Sequence, residues 1–196
     1  GISSEDFVLI SVSRISKEKN LEFIMDAFRV VSRGNKKWKL LIIGDGPCLE
    51  VYKKRYLKTK GIIFVGKVPW EKIPLYYQTG NVFVTASKTE TQGLTVNEAL
   101  SASLPVVCID DDSFKLSVID DFNGYFFKNR KEFINYINKL INDKELYQRM
   151  CKQAKNSSLK FSKKYFAESI LEVYNMALEK RKKNIIEKIK DIMVRK

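Results

Sequence analysis

Short apolar runs that alternate with segments of helical period constrain this chain most. Phe7-Val8-Leu9-Ile10-Ser11-Val12, Lys39-Leu40-Leu41-Ile42-Ile43, Ile62-Ile63-Phe64-Val65, Val82-Phe83-Val84 and Leu104-Pro105-Val106-Val107-Cys108-Ile109 are each of strand length. They are nearly continuous rather than alternating, which marks strands covered on both faces. Between them lie helical patterns, such as Leu21, Ile24, Met25, Phe28 and Val31. Further helices are expected from Pro47 to about Lys58 and from Trp70 to Gln78, with Pro47 in a first turn where its missing N–H costs nothing. Tyr125-Phe126-Phe127, after the turn Asn123-Gly124, reads as an edge strand, and helices follow over about 131–142, 143–155 and 163–180.

Strands alternating with helices at this spacing predict βαβ units and a parallel sheet. With right-handed crossovers the expected architecture is α/β, a doubly wound Rossmann-like sheet with a helical C-terminal end. Ligands of such sheets lie beyond the carboxyl ends of the strands, which here means the loops at 13–20, 44–47, 66–70 and 85–95. The expected division is a nucleotide-binding domain over 1–181 and a basic tail over 182–196.

The last of those loops runs into Thr89-Glu90-Thr91-Gln92-Gly93-Leu94-Thr95-Val96-Asn97-Glu98-Ala99-Leu100. A strand, a loop and a helix N-terminus follow one another there. The first N–H groups of a helix lack internal partners and carry partial positive charge, so they suit a phosphate. Gly93 lets an anion approach the backbone. Glu90 and Glu98 bracket the cradle with the form E-x7-E. In the first loop, Arg14 offers a planar donor fork and Lys19 a mobile charge, a combination suited to a diphosphate.

Composition narrows the chemistry. The chain has 196 residues and no histidine, which excludes imidazole catalysis and His-ligated metals from it. Its three cysteines, Cys48, Cys108 and Cys151, form no CxxC pair and fit a reducing compartment. No apolar run approaches the ~20 residues needed to span a bilayer. The net charge of +13 favours anionic partners. Lys180 to Lys196 hold eight basic and two acidic residues, a net of +6, leaving +7 for the rest. Within the tail, Ile185, Ile186, Ile189, Ile192 and Met193 share one helical face among lysines. Two readings stay open there: a helix lying on an anionic membrane surface, and one packing on another domain.

Taken together, Val12-Ser13-Arg14 with Lys19-Asn20, Ile43-Gly44-Asp45-Gly46-Pro47, Phe64-Val65-Gly66-Lys67-Val68, Glu90-Thr91-Gln92-Gly93-Leu94 with Glu98-Ala99, and Pro105-Val106-Val107 followed by Asn123-Gly124 form an ordered motif set. It resembles the C-terminal, donor-binding domain of GT-B retaining glycosyltransferases of family 4, over residues 7 to about 180. The resemblance implies that Arg14 and Lys19 hold the donor diphosphate, that Glu98 binds ribose hydroxyls and that Glu90 contacts the transferred sugar. It implies that the N–H groups of Gly93, Leu94 and Thr95 meet the phosphates or sugar, and that the backbone around Lys67 and Val68 borders the nucleobase. The reaction the resemblance implies moves a hexose from a nucleoside-diphosphate sugar of the UDP-glucose type to a lipid or glycan acceptor, with no metal and no other cofactor required. Leaving-group charge on the diphosphate is met by cations and dipoles already in place.

Ser103 and Asp112-Ser113 depart from the family pattern, which often carries glycine there. With Asp110-Asp111-Asp112-Ser113-Phe114, the motif set is more similar to lipid glucosyltransferases, such as diacylglycerol glucosyltransferases, than to sucrose or starch enzymes. A DxD-type metal site on the aspartate run is the alternative for that stretch. The start at Gly1 is expected to be a boundary within a longer, cytoplasmic protein whose N-terminal domain binds the acceptor; a peripheral place on the inner membrane face goes with the membrane reading of the tail. This stretch alone is then expected to bind donor without completing transfer. The rival classes are a basic nucleic-acid-binding module and a non-catalytic regulator that keeps nucleotide binding. The nucleic-acid reading explains neither Glu90 nor Glu98, because carboxylates repel a phosphodiester backbone.

Overall fold

A computed structural model describes residues 1–91 and 93–194, with side chains up to Ile186. The chain divides into two compact units, Gly1–Ser158 and Leu159–Lys196. In the first, six parallel strands are β1 (Phe7–Val12), β2 (Trp38–Ile43), β3 (Ile62–Gly66), β4 (Val82–Thr85), β5 (Val106–Ile109) and β6 (Gly124–Phe127). Their spatial order is β3-β2-β1-β4-β5-β6. The sheet grows outward from β1 in one direction and from β4 in the other, so the crevice between β1 and β4 is the topological switch point.

The helices are α1 (Leu21–Val31), α2 (Leu49–Tyr56), α3 (Ile73–Tyr77), α4 (Leu94–Ser101), α5 (Arg130–Asn142) and α6 (Lys144–Ser158). The apolar runs fill the core: Leu9, Ile10, Ile42, Phe83, Val84, Val106 and Val107 are fully buried. Helices on the sheet add Ile24, Phe28, Leu100, Phe133 and Met150. Phe23 of α1 stacks on Phe127 of β6, with ring centroids 5.1 Å apart, and Phe133 meets that ring edge-on.

Three expected boundaries shift for local reasons. Pro47 lies in the turn before α2 rather than in its first turn: the helix begins at Leu49 after Cys48. The Cys48 N–H is used instead to reach the Ile15 carbonyl at 3.0 Å. The fifth strand begins at Val106, since Pro105 has no N–H to give, although its carbonyl still accepts from Phe83 N at 2.9 Å. The segment from Trp70 is a 3₁₀ turn, Trp70–Lys72, that passes into α3. Tyr125-Phe126-Phe127 does form an edge strand, parallel to β5.

The second unit is a 3₁₀ turn, Leu159–Phe161, and one helix, α7 (Lys163–Val194). This helix continues through Lys182 without a break. Of the apolar face expected in the tail, the side chains of Ile189, Ile192 and Met193 lie outside the described residues, as does Gln92 of the E-x7-E stretch. Among the described residues no helix is long and apolar enough to cross a membrane.

Candidate active site

The loop after β1 and the loop after β2 are locked together through their backbones. Ser13 N donates to Ile43 O at 3.1 Å and Ile15 N to Asp45 O at 2.9 Å. A Cβ on Gly44 would sit 1.9 Å from Ser13 O, and one on Gly46 would sit 2.4 Å from Ile15 O. Only glycine permits that approach, so Gly44-Asp45-Gly46 holds the first loop at the sheet's carboxyl edge. Together with the loop after β3, these loops line an open cleft of about 660 Å³, walled by Ser13, Arg14, Asp45, Lys67, Val68 and Ile73 among others. Arg14 thus shares one cleft with Lys67 and Val68, which lie 53 and 54 residues further along the sequence.

The other half of the site lies between the loops after β1 and β4. Lys19 Nζ donates to Glu90 Oε1 at 2.5 Å, with the two side chains 18% and 21% exposed. Lys19 ends a short 3₁₀ turn, Lys17–Lys19, followed by Asn20 at φ 51. That left-handed residue turns the chain into α1 and leaves Lys19 at the crevice. Glu90 precedes α4, whose N-terminus begins at Leu94 after Gly93. Among the described residues no side chain caps this helix, Gly93 at the N-cap having none to offer, which leaves the N–H groups of Leu94 and Thr95 for a ligand.

Gly93 is also constrained by its surroundings. Its φ is +57, in the left-handed region, and a Cβ there would lie 3.2 Å from Phe114 Cδ1. Phe114 is buried and ends a 3₁₀ turn, Asp112–Phe114, in the stretch that departs from the family pattern. The aspartate run therefore supports the start of α4. Asp111 caps that turn by accepting from Ser113 N at 3.0 Å and Ser113 Oγ at 2.7 Å, which holds its carboxyl below the usual range. Asp112 pairs with Lys115 at 2.5 Å and Asp110 lies 3.7 Å from Lys128. Among the described residues no group of three or more metal-ligating side chains gathers.

Glu98 is exposed on α4 and accepts from the Tyr77 hydroxyl at 2.9 Å through Oε2. It makes no described contact with Lys19 or Arg14 and is not part of the cleft lining. Among the described residues, Ser13 Oγ, Ser87 Oγ and Asn97 Oδ1 are buried without a hydrogen-bond partner. Ser13 and Ser87 follow β1 and β4, the two strands of the switch point, and Asn97 precedes Glu98 in α4. Buried polar groups are rarely left unpaired, and these three flank the region where a polar ligand would sit. Sequence reasoning missed Tyr77, Ser87 and Asn97, whose residue types carry no signal without the spatial neighbours.

A family model described as "Glycosyl transferases group 1" matches residues 1–157. The chain belongs to the group 1 glycosyl transferases. An alpha-monoglucosyldiacylglycerol synthase of Acholeplasma laidlawii is 35% identical over 191 residues, which is 96% of this chain and 48% of that protein. The synthase of the same name from Streptococcus pneumoniae is 38% identical over 110 residues, 55% of this chain and 25% of that one. The chain thus spans at most about half the length of these two relatives. Among solved structures, Anabaena HepE in complex with UDP aligns with a TM-score of 0.78 at 19% identity, covering 88% of this chain and 50% of HepE. The C-terminal domain of a group 1 glycosyl transferase from Francisella tularensis aligns at 0.72 with 24% identity, covering 81% of this chain and 87% of that domain. At these identities the structural likeness establishes the fold, which is that of a GT-B C-terminal domain. Of the motif set, Arg14, Lys19, Gly44-Asp45-Gly46, Lys67-Val68 and Glu90 follow β1, β2, β3 and β4 at the carboxyl edge of this sheet, whereas Pro105 and Asn123 precede β5 and β6 at its other edge.

Proposed function

We propose that this chain is the donor-nucleotide domain of a metal-independent, retaining glycosyltransferase. It would move a hexose from a nucleoside-diphosphate sugar of the UDP-glucose type to a lipid acceptor. The observation that carries this reading is the meeting of Lys19, Glu90 and the uncapped start of α4 at the switch point. A cation and a helix dipole there suit a diphosphate, and a carboxylate beside them suits sugar hydroxyls. The lipid acceptor is suggested by the two monoglucosyldiacylglycerol synthases among the relatives, and UDP-glucose by the HepE complex with that molecule.

In this reading Arg14 and Lys19 grip the diphosphate, and the N–H groups of Gly93, Leu94 and Thr95 complete its cradle. Glu98 takes the ribose, Glu90 the hexose, and the backbone at Lys67 and Val68 flanks the base. As the glycosidic bond breaks, negative charge grows on the leaving diphosphate. The fixed cations and the α4 dipole stabilise it more in the transition state than in the ground state. An N-terminal domain outside this chain supplies the acceptor, and the whole protein works at the cytoplasmic membrane face.

Calorimetric titration with UDP, UDP-glucose and other nucleoside diphosphates tests the reading. Binding of UDP that is lost in Lys19→Ala supports it; a protein that binds none of them refutes it.

A further inference from the structure

Tyr77 ends α3 and its ring is buried, tilted against Phe83 of β4 with centroids 6.0 Å apart. A phenylalanine would fill the same space, so the hydroxyl calls for its own account. It lies 2.9 Å from Glu98 Oε2 and 3.2 Å from the Thr95 carbonyl oxygen. A phenol has one proton, and the nearer, ionised acceptor takes it. Burial, and then the neighbouring Glu98, push the Tyr77 hydroxyl's pKa far up, so it keeps its proton and remains a donor.

Glu98 needs such a partner. It is exposed on a helix surface, where a glutamate side chain samples several rotamers and loses that freedom when fixed. Tyr77, held by the core, is rigid. Its hydroxyl occupies one carboxylate oxygen and leaves Oε1 to accept from a ligand. We infer that Tyr77 is a positioning residue for the donor, fixing one oxygen of Glu98 so that the other meets a ribose hydroxyl. This rests on the proposed role of Glu98 and adds a residue that the motif set does not contain.

The test is calorimetry of the wild type, Tyr77→Phe, Glu98→Ala and the double variant with UDP and with 2′,3′-dideoxy-UDP. Circular dichroism checks that each variant folds. Tyr77→Phe weakens UDP about three- to tenfold, the scale of one net hydrogen bond, and leaves the dideoxy nucleotide unchanged. In the Glu98→Ala background the same substitution costs nothing further. A merely structural tie of Tyr77 to the α4 backbone through the Thr95 carbonyl would instead weaken both nucleotides alike and add fully to Glu98→Ala; either result overturns the inference, as does unchanged UDP binding by Tyr77→Phe. If Glu98→Ala itself leaves UDP affinity unchanged, the ribose role of Glu98 falls first and the inference with it. If Glu98→Ala weakens UDP and Tyr77→Phe does not, only the inference falls.

Discussion

Lys19 and Glu90, 71 residues apart, form an ion pair at 2.5 Å across the crevice between the loops after β1 and β4. In the proposed site both are donor ligands, so without a ligand each neutralises the other. An entering diphosphate must compete with Glu90 for Lys19. Glu90→Gln removes that competition, and a partly exposed pair contributes about 0.2–1 kcal/mol. UDP should therefore bind Glu90→Gln as tightly as the wild type or up to about fivefold tighter, while turnover with UDP-sugar by the full-length enzyme falls. Titrating UDP into both proteins decides it; a tenfold weakening in Glu90→Gln would mean that Glu90 serves the nucleotide rather than the sugar.

Glu98 should behave in the opposite way. Glu98→Ala is expected to weaken UDP and UDP-sugar alike, by about 1–3 kcal/mol, because charged hydrogen bonds to ribose are lost with either ligand. Equal losses in Glu90→Ala and Glu98→Ala would show that the two carboxylates are not divided between sugar and ribose.

Chelation separates two kinds of site. UDP affinity should be the same with and without EDTA, since Arg14, Lys19 and the α4 N-terminus supply the positive charge in the proposed site. A drop on chelation would assign a metal to Asp110, Asp111 and Asp112, and their substitution by asparagine should then mimic EDTA.

Ser103 carries a backbone conformation that its side chain disfavours. It sits at φ 66 just beyond α4, with its N–H donating to Leu100 O at 2.9 Å and Leu104 N donating to Ala99 O at 3.0 Å. This pair of bonds is the Schellman arrangement, in which the left-handed residue is usually glycine. Ser103→Gly relieves the Cβ clash and gives back some unfolded-state entropy, for a net gain of about 0.5–1 kcal/mol. Thermal unfolding should show a raised Tm, and an unchanged or lower Tm would mean that the serine is held by contacts worth more than the strain.

Gly93→Ala should cost in both stability and binding. The left-handed φ of +57 penalises any Cβ by about 1–2 kcal/mol, and Phe114 lies 3.2 Å from where that Cβ would be. Unfolding midpoints and UDP titration read the two effects; wild-type values for both would show that the α4 start tolerates displacement.

The sequence alone determined the sheet. Strand-length apolar runs spaced by helical segments admit few arrangements other than a parallel, doubly wound one, because that period and that spacing are local properties of the chain. The residue types of the proposed site stand where local pattern predicts loops and a helix start: Arg14, Lys19, Glu90, Gly93 and Glu98. What tertiary structure decided is who meets whom. The Lys19–Glu90 pair exists because β1 and β4 are neighbours in the sheet although two strands separate them in sequence. Tyr77 reaches Glu98 because α3 lies against α4, and Phe114 lies beneath Gly93 because the loop after β5 folds under that helix start. Such contacts depend on strand order and on the direction of individual side chains, and no periodicity in the chain encodes either.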